Sequence, residues 1–105
     1  MADHIRRLLE MRRGMLSHMP EFGMPDMGEL FRRLPGSEFE IQEGMEALIR
    51  DYEPRMKNVR VEFQELDAAR ARIRFRISGV LVGAGRIRFE SSLFPNGRGE
   101  VRSET

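Results

Sequence analysis

The chain has 105 residues and no cysteine, which suits one modest core and excludes a disulfide framework, a thiolate nucleophile or cysteine-ligated zinc. Eighteen basic residues against seventeen acidic ones leave a net charge of +1, which gives no global argument for nucleic acid or an anionic membrane. No run approaches the length of a membrane span and no apolar core of a secretory signal follows the first arginines. These features lead us to expect a cytoplasmic protein without direct membrane insertion.

The charge is unevenly spread. Residues 1–57 carry nine Lys and Arg against eleven Asp and Glu, while residues 58–105 carry nine against six. The change coincides with a change of hydrophobic period, from helical to alternating. One domain over 1–105 is expected, helical over 1–57 and a sheet over 58–105.

Residues 3–12 read as a short helix, with Asp3 as N-cap, Ile5, Leu8, Leu9 and Arg12 in register, and Gly14 as its end. From Met15 to Pro25 the density of His18, Pro20, Gly23 and Pro25 predicts an irregular connection. Met11, Met15, Met19, Met24 and Met27 cluster there, as adaptable packing or as a plastic docking surface. Asp26 is placed to cap a second helix carrying Met27, Leu30, Phe31 and Leu34, closed by Pro35-Gly36. Ser37 and Glu40 have the spacing of a capping box for a third. Its stripe is Ile41, Met45, Leu48, Ile49 and Tyr52, with Glu43, Glu46 and Arg50 on a solvated face.

Asp51-Tyr52-Glu53-Pro54-Arg55 is the seam. Proline cannot continue a helix and pushes the residue before it toward extended geometry. Glu53 and Arg55, two apart, should then project from one side. A carboxylate at a helix C-terminus is electrostatically disfavoured, so Glu53 needs a cation. Two readings stand: an internal clasp with Arg55, or a rigid charged knuckle that binds a partner.

Beyond Arg55 the period is two. Val59, Val61 and Phe63 alternate with Arg60, Glu62 and Gln64, and Leu66–Ala69 is a turn candidate. Ala71, Ile73, Phe75 and Ile77 alternate with Arg70, Arg72, Arg74 and Arg76, running on to a hairpin turn at Gly83-Ala84-Gly85. Ile87 and Phe89 return, Pro95-Asn96-Gly97 turns, and Gly99 to Ser103 forms a short last strand. The fold class is α+β, with N-terminal helices packed on one face of a small antiparallel sheet of three to four strands.

The outer sheet face should carry Arg60, Arg70, Arg72, Arg74, Arg76, Arg86 and Arg88 against Glu62 and Glu90. Such a ladder is a solvated face or a surface for an acidic protein, and Arg72, Arg74 and Arg76 are the residues we assign to a partner. Phe63, Phe75 and Phe89 alternate onto the opposite face, away from any base they would have to stack on, so nucleic acid is not expected. With no helix left to cover a flank, a terminal strand should offer an open edge to a partner's strand, the arginines preventing self-pairing in a monomer. His4 and His18 lack companions at ligand spacing, so no metal is expected. No serine sits in a nucleophile elbow, and the acids lie beside arginines or on exposed faces, so no catalytic residue and no cofactor are expected.

Three stretches carry a resemblance: Leu8-Leu9-Glu10-Met11-Arg12-Arg13-Gly14, Phe22-Gly23-Met24-Pro25-Asp26 and Tyr52-Glu53-Pro54-Arg55-Met56. In this order, ahead of alternating strands, they are similar to the gene-25-like baseplate wedge family of type VI secretion systems and contractile phage tails. The chain departs from the family at Glu10-Met11, where Asn-Thr is common. The resemblance implies a non-enzymatic structural subunit whose partners are baseplate wedge proteins and sheath subunits. It implies that Glu53, Pro54 and Arg55 contact the helical core bundle of the wedge. It also implies that the strands seed sheath assembly. Some of the family carry a lysozyme label, against which the carboxylate argument speaks. A related fold serves an anti-adaptor protein, so a small regulatory binding module is the alternative.

Overall fold

Asp3, Arg6, Arg7 and Glu10 brace the first helix from its wet side. Arg6 bonds Asp3 at 2.9 Å and Glu10 at 2.7 Å, and Arg7 lies 3.0 Å from Asp3. This helix, α1, spans Ala2–Glu10 and buries Ile5, Leu8 and Leu9. Asp3 is not its cap: Met1 holds that position without a side-chain bond, and Asp3 sits in the first turn, where an anion is favoured by the helix dipole. The computed structural model of the chain describes residues 1–15 and 23–104. Most of the connection expected over Met15–Pro25, including His18, Met19 and Pro20, lies outside those residues.

α1 ends four residues before Gly14, for a tertiary reason. Met11 turns extended, with φ −75° and ψ 129°. Its carbonyl accepts the Met24 amide at 2.6 Å, and Arg13 donates to the Met24 carbonyl at 3.0 Å. A parallel bridge between Arg12 and Met24 results. The flanks of the irregular connection are thus paired with each other, and Met24 and Met27 are buried while Met15 is exposed. Packing explains the two buried methionines.

α2 spans Met27–Arg32, and Asp26 caps it as expected, accepting from the Gly28 amide at 2.9 Å. α3 spans Glu38–Tyr52 and buries Ile41, Met45, Leu48 and Ile49. Tyr52 at the end of that stripe is exposed. The capping box does not form. Ser37 sits at the cap in helical geometry, buried, and its hydroxyl donates to the Leu30 carbonyl at 2.6 Å. Glu40 pairs instead with Arg33 at 2.7 Å. A buried hydroxyl needs an acceptor, and the end of α2 supplies one, so Ser37 ties two helices together.

Four strands follow: β1 (Met56–Asp67), β2 (Arg72–Leu81), β3 (Gly85–Leu93) and β4 (Gly99–Ser103). They form one antiparallel sheet in the order β1-β2-β3-β4, and the architecture is α+β. Ile73, Phe75, Ile77, Phe89 and Leu93 form the sheet's side of the core, against Ile5, Leu9, Ile41, Met45 and Ile49. Full burial of each such side chain contributes roughly 1.5–3 kcal/mol. Phe63 faces the same way and meets Phe75 edge-on with centroids 6.0 Å apart, but on an edge strand it stays 39% exposed. Ala71, expected in β2, has φ +49° and closes the β1–β2 turn with Arg70 beside it.

Each flank of the sheet is partly covered. The Val61 and Phe63 amides on the free side of β1 donate to Glu46 at 3.3 Å and Gln42 at 3.0 Å of α3. At the other flank the Gly99 amide of β4 donates to Glu10 of α1 at 2.9 Å. This narrows the expectation of an uncovered flank: side chains of the helices also reach around to the edges, and on β4 they cover the Gly99 amide alone.

Candidate functional site

Glu53 is 1% exposed. Its backbone N–H still closes the last turn of α3 on the Ile49 carbonyl, and Pro54 then stops the helix. The carboxylate therefore lies at the negative end of the helix dipole, where it needs donors. Arg55 supplies them in a two-residue span. Its backbone N–H donates to Oε2 at 3.1 Å, its Nε to the same oxygen at 3.0 Å, and a terminal nitrogen to Oε1 at 2.8 Å. His4 of α1 stands 3.5 Å from Oε1. The Arg55 guanidinium holds the Glu53 carboxyl below the usual carboxylate range, outweighing the opposing effect of burial. The Arg55 carbonyl accepts the Val82 amide at 2.9 Å, which ties the knuckle to the β2–β3 hairpin tip.

The structure thus brings Glu53 and Arg55 together as a clasp, and the two partners differ in exposure. The acid is buried, while the Arg55 side chain is 64% exposed. The clasp therefore also displays a cation in a fixed orientation, because two side-chain bonds to a buried anchor leave it few rotamers.

Arg72, Arg74 and Arg76 lie elsewhere. β2 begins at Arg72 and its far end meets the knuckle, so Arg72 and the knuckle sit at opposite ends of a strand spanning roughly 30 Å, with Arg74 and Arg76 between them. The three arginines share the outer face, each with an acid. Arg72 lies 3.6 Å from Asp67, Arg74 lies 3.3 Å from Glu65 and 3.1 Å from Glu90, and Arg76 lies 3.4 Å from Glu104. Arg102 adds 3.0 Å to Glu90, and together these cations hold the Glu90 carboxyl below its ordinary range.

Strict alternation hides half of these acids. Counted in twos from Val61 and Phe63, Glu65 and Asp67 belong to the inner face. A register shift between Phe63 and Glu65 turns them outward, opposite Arg74 and Arg72. A bulge of this kind reverses the phase of everything after it. Glu46, too, reads from its position in the helical period as merely solvated. Gln42 and Glu46 are four apart, hence on one side of α3, but only the position of β1 shows what that side serves.

That sealing has a measurable consequence. Removing both acceptors, Gln42→Ala with Glu46→Ala, leaves two edge amides unpaired, each lost bond costing about 1 kcal/mol. The double variant is expected to associate with increasing concentration in sedimentation velocity, while the parent does not.

Among the described residues, no group of three or more His, Asp or Glu side chains could hold a metal ion, and no helix is long and apolar enough to cross a membrane. Among them, too, Glu53 is the one buried carboxylate.

The chain is similar to known proteins over most of its length. Residues 1–85 match the family described as baseplate wedge protein gp25. A chain in a solved structure titled "The baseplate complex from the type VI secretion system" superposes with a TM-score of 0.62 at 27% identity, covering 78% of this chain and 70% of that one. No curated protein matches. The matched region takes in all three of the stretches singled out from sequence and ends at the hairpin that the knuckle holds. The chain belongs to the gp25 family of baseplate wedge proteins.

Proposed function

We propose that this protein is a non-enzymatic structural subunit of a contractile injection machine baseplate, of the type VI secretion or phage-tail kind. In this reading it links the core bundle of the wedge to the sheath and seeds sheath assembly in the cytoplasm. The observation that carries it is the knuckle: an exposed arginine anchored by a buried acid beside a proline, in a chain of this family. A rigid, pre-oriented cation lowers the ordering cost of binding. Among the described residues Glu53 is the one buried carboxylate, and its pKa is lowered, the opposite of what a general acid in glycoside hydrolysis requires.

The sheath end of the link is assigned to β4. Its ladder with β3 turns the Val101 amide and carbonyl outward, whereas α3 seals the Val61 and Phe63 amides on β1. A partner strand adding there would run beside the ion-paired outer face, where Arg74, Glu90 and Arg102 form one cross-strand group and Arg72 and Arg76 flank it. Reversing Arg72, Arg74 and Arg76 to Glu would also break their internal pairs and lower the melting temperature. That variant alone therefore does not isolate a partner contact.

The cleaner test is Arg55→Ala. Pull-down of baseplate wedge proteins is expected to fall at least tenfold, as when one partner of a buried charge pair is truncated at about 2–5 kcal/mol of affinity. The Arg55→Ala melting temperature should fall less than that of Glu53→Ala. Undiminished capture with a large fall in melting temperature would leave only the clasp.

A further inference from the structure

The outer face is balanced at one end and not at the other. Beyond the row of Arg76 and Glu90 toward the hairpin, the register sets two rows of three across β1, β2 and β3. Arg60 and Arg88 stand opposite Ser78 in one row, and Lys57 and Arg86 stand opposite Val80 in the next. None of these four cations has an ion pair among the described residues. Glu104, cross-strand from Arg88, gives its carboxylate to Arg76 instead. Glu62 and Glu90 border the patch on the side away from the hairpin, Glu90 being held by Arg74 and Arg102. Along β2, crossing both rows, lies a shallow groove of about 670 Å³, floored by Ser78 and Val80 and walled by Asn58 and Arg60 on one side and Arg86 and Arg88 on the other.

We propose that this groove binds a short run of consecutive acidic residues in an extended segment of a partner protein. The spacing carries the choice. The flanking cations stand on strands two intervals apart, roughly 9–10 Å, and Arg86 and Arg88 are two residues apart, roughly 7 Å. An extended chain lying along β2 with its pleat edge-on directs successive side chains alternately to the two walls. Every second side chain returns to the same wall after the same roughly 7 Å. Consecutive carboxylates therefore meet Lys57 or Arg60 on one side and Arg86 or Arg88 on the other. Ser78 and Val80 are small enough to let the backbone approach. A single-stranded nucleic acid fits less well, because Phe75 and Phe89 are buried on the opposite face and leave no platform for bases. The inference stands on the patch alone, so its failure and that of the baseplate reading are separate results.

The test is fluorescence anisotropy with a labelled octapeptide carrying four consecutive glutamates, against the same peptide carrying glutamines. The parent is expected to bind the first and not the second, more weakly as salt rises. Lys57→Gln with Arg60→Gln, Arg86→Gln and Arg88→Gln should weaken binding at least about tenfold. A control with the same loss of charge, Arg7→Gln, Arg13→Gln, Arg32→Gln and Arg50→Gln, should bind like the parent. Thermal melts should show both variants folded. Absence of binding, equal loss in both variants, or no loss in the first overturns the proposal. So does tighter binding of oligothymidylate or of phosphatidylglycerol vesicles through the same four cations.

Discussion

Glu53→Ala is expected to lower the melting temperature by roughly 10 °C, a loss of about 2 kcal/mol for a group that accepts charge-assisted hydrogen bonds out of contact with water. The side chain is 1% exposed and holds the turn from α3 into β1, so its loss also frees the hairpin tip that hangs from the Arg55 carbonyl. Arg55 is not left buried by the substitution, which keeps the effect below that of breaking a fully buried pair. Acid should reproduce part of the loss. The native carboxyl is held below its ordinary pKa, so the folded state binds its proton later than the unfolded state does. The contribution is complete above the ordinary glutamate range near pH 4.3 and is lost as pH falls through the lowered native value. Melting temperature followed from neutral pH downward should fall more steeply below about pH 4.3 in the parent than in Glu53→Gln. Equal slopes would show that other carboxylates, Glu90 first among them, carry the acid sensitivity.

Gly23→Ala is expected to be more damaging still, at least about 3 kcal/mol, and to reduce soluble yield. Gly23 has φ +112°, a conformation a side chain rarely adopts, and a Cβ there would stand 2.7 Å from the Arg12 carbonyl carbon and from the Met11 oxygen. Those neighbours are backbone held by the bridge between Arg12 and Met24, and so they cannot swing away. The bridge joins two of the stretches that mark the family, and the glycine is what lets them touch. Gly14→Ala is the contrast. Its φ of +88° carries the strain alone, with nothing within 4 Å of the added carbon. A chemical denaturation series should rank parent, Gly14→Ala and Gly23→Ala in that order. Equal stability of the two variants would mean that the bridge yields to the methyl group.

The three helices, the four strands and the inward side of most of them were legible in the residues, because each rests on a local pattern. Asp26 capped its helix, Gly83 to Gly85 turned the hairpin, and Ile73, Phe75 and Ile77 went inside together, all from contacts or periods a few residues long. The acid and base of the knuckle were legible for the same reason, being two residues apart around a proline. What the sequence could not decide depended on elements far apart in the chain. Ser37 reads as a cap until the end of α2 offers it a buried carbonyl. α1 reads through to Arg12 until Met24 competes for the Met11 carbonyl. Glu10, where the chain departs from its family, caps the edge of β4 eighty-nine residues later. The arginine ladder reads as one uniform positive face, because alternation cannot show a bulge. One extra residue between Phe63 and Glu65 swings two carboxylates onto Arg72 and Arg74, and the unpaired positive charge is left at the hairpin end, on Lys57, Arg60, Arg86 and Arg88.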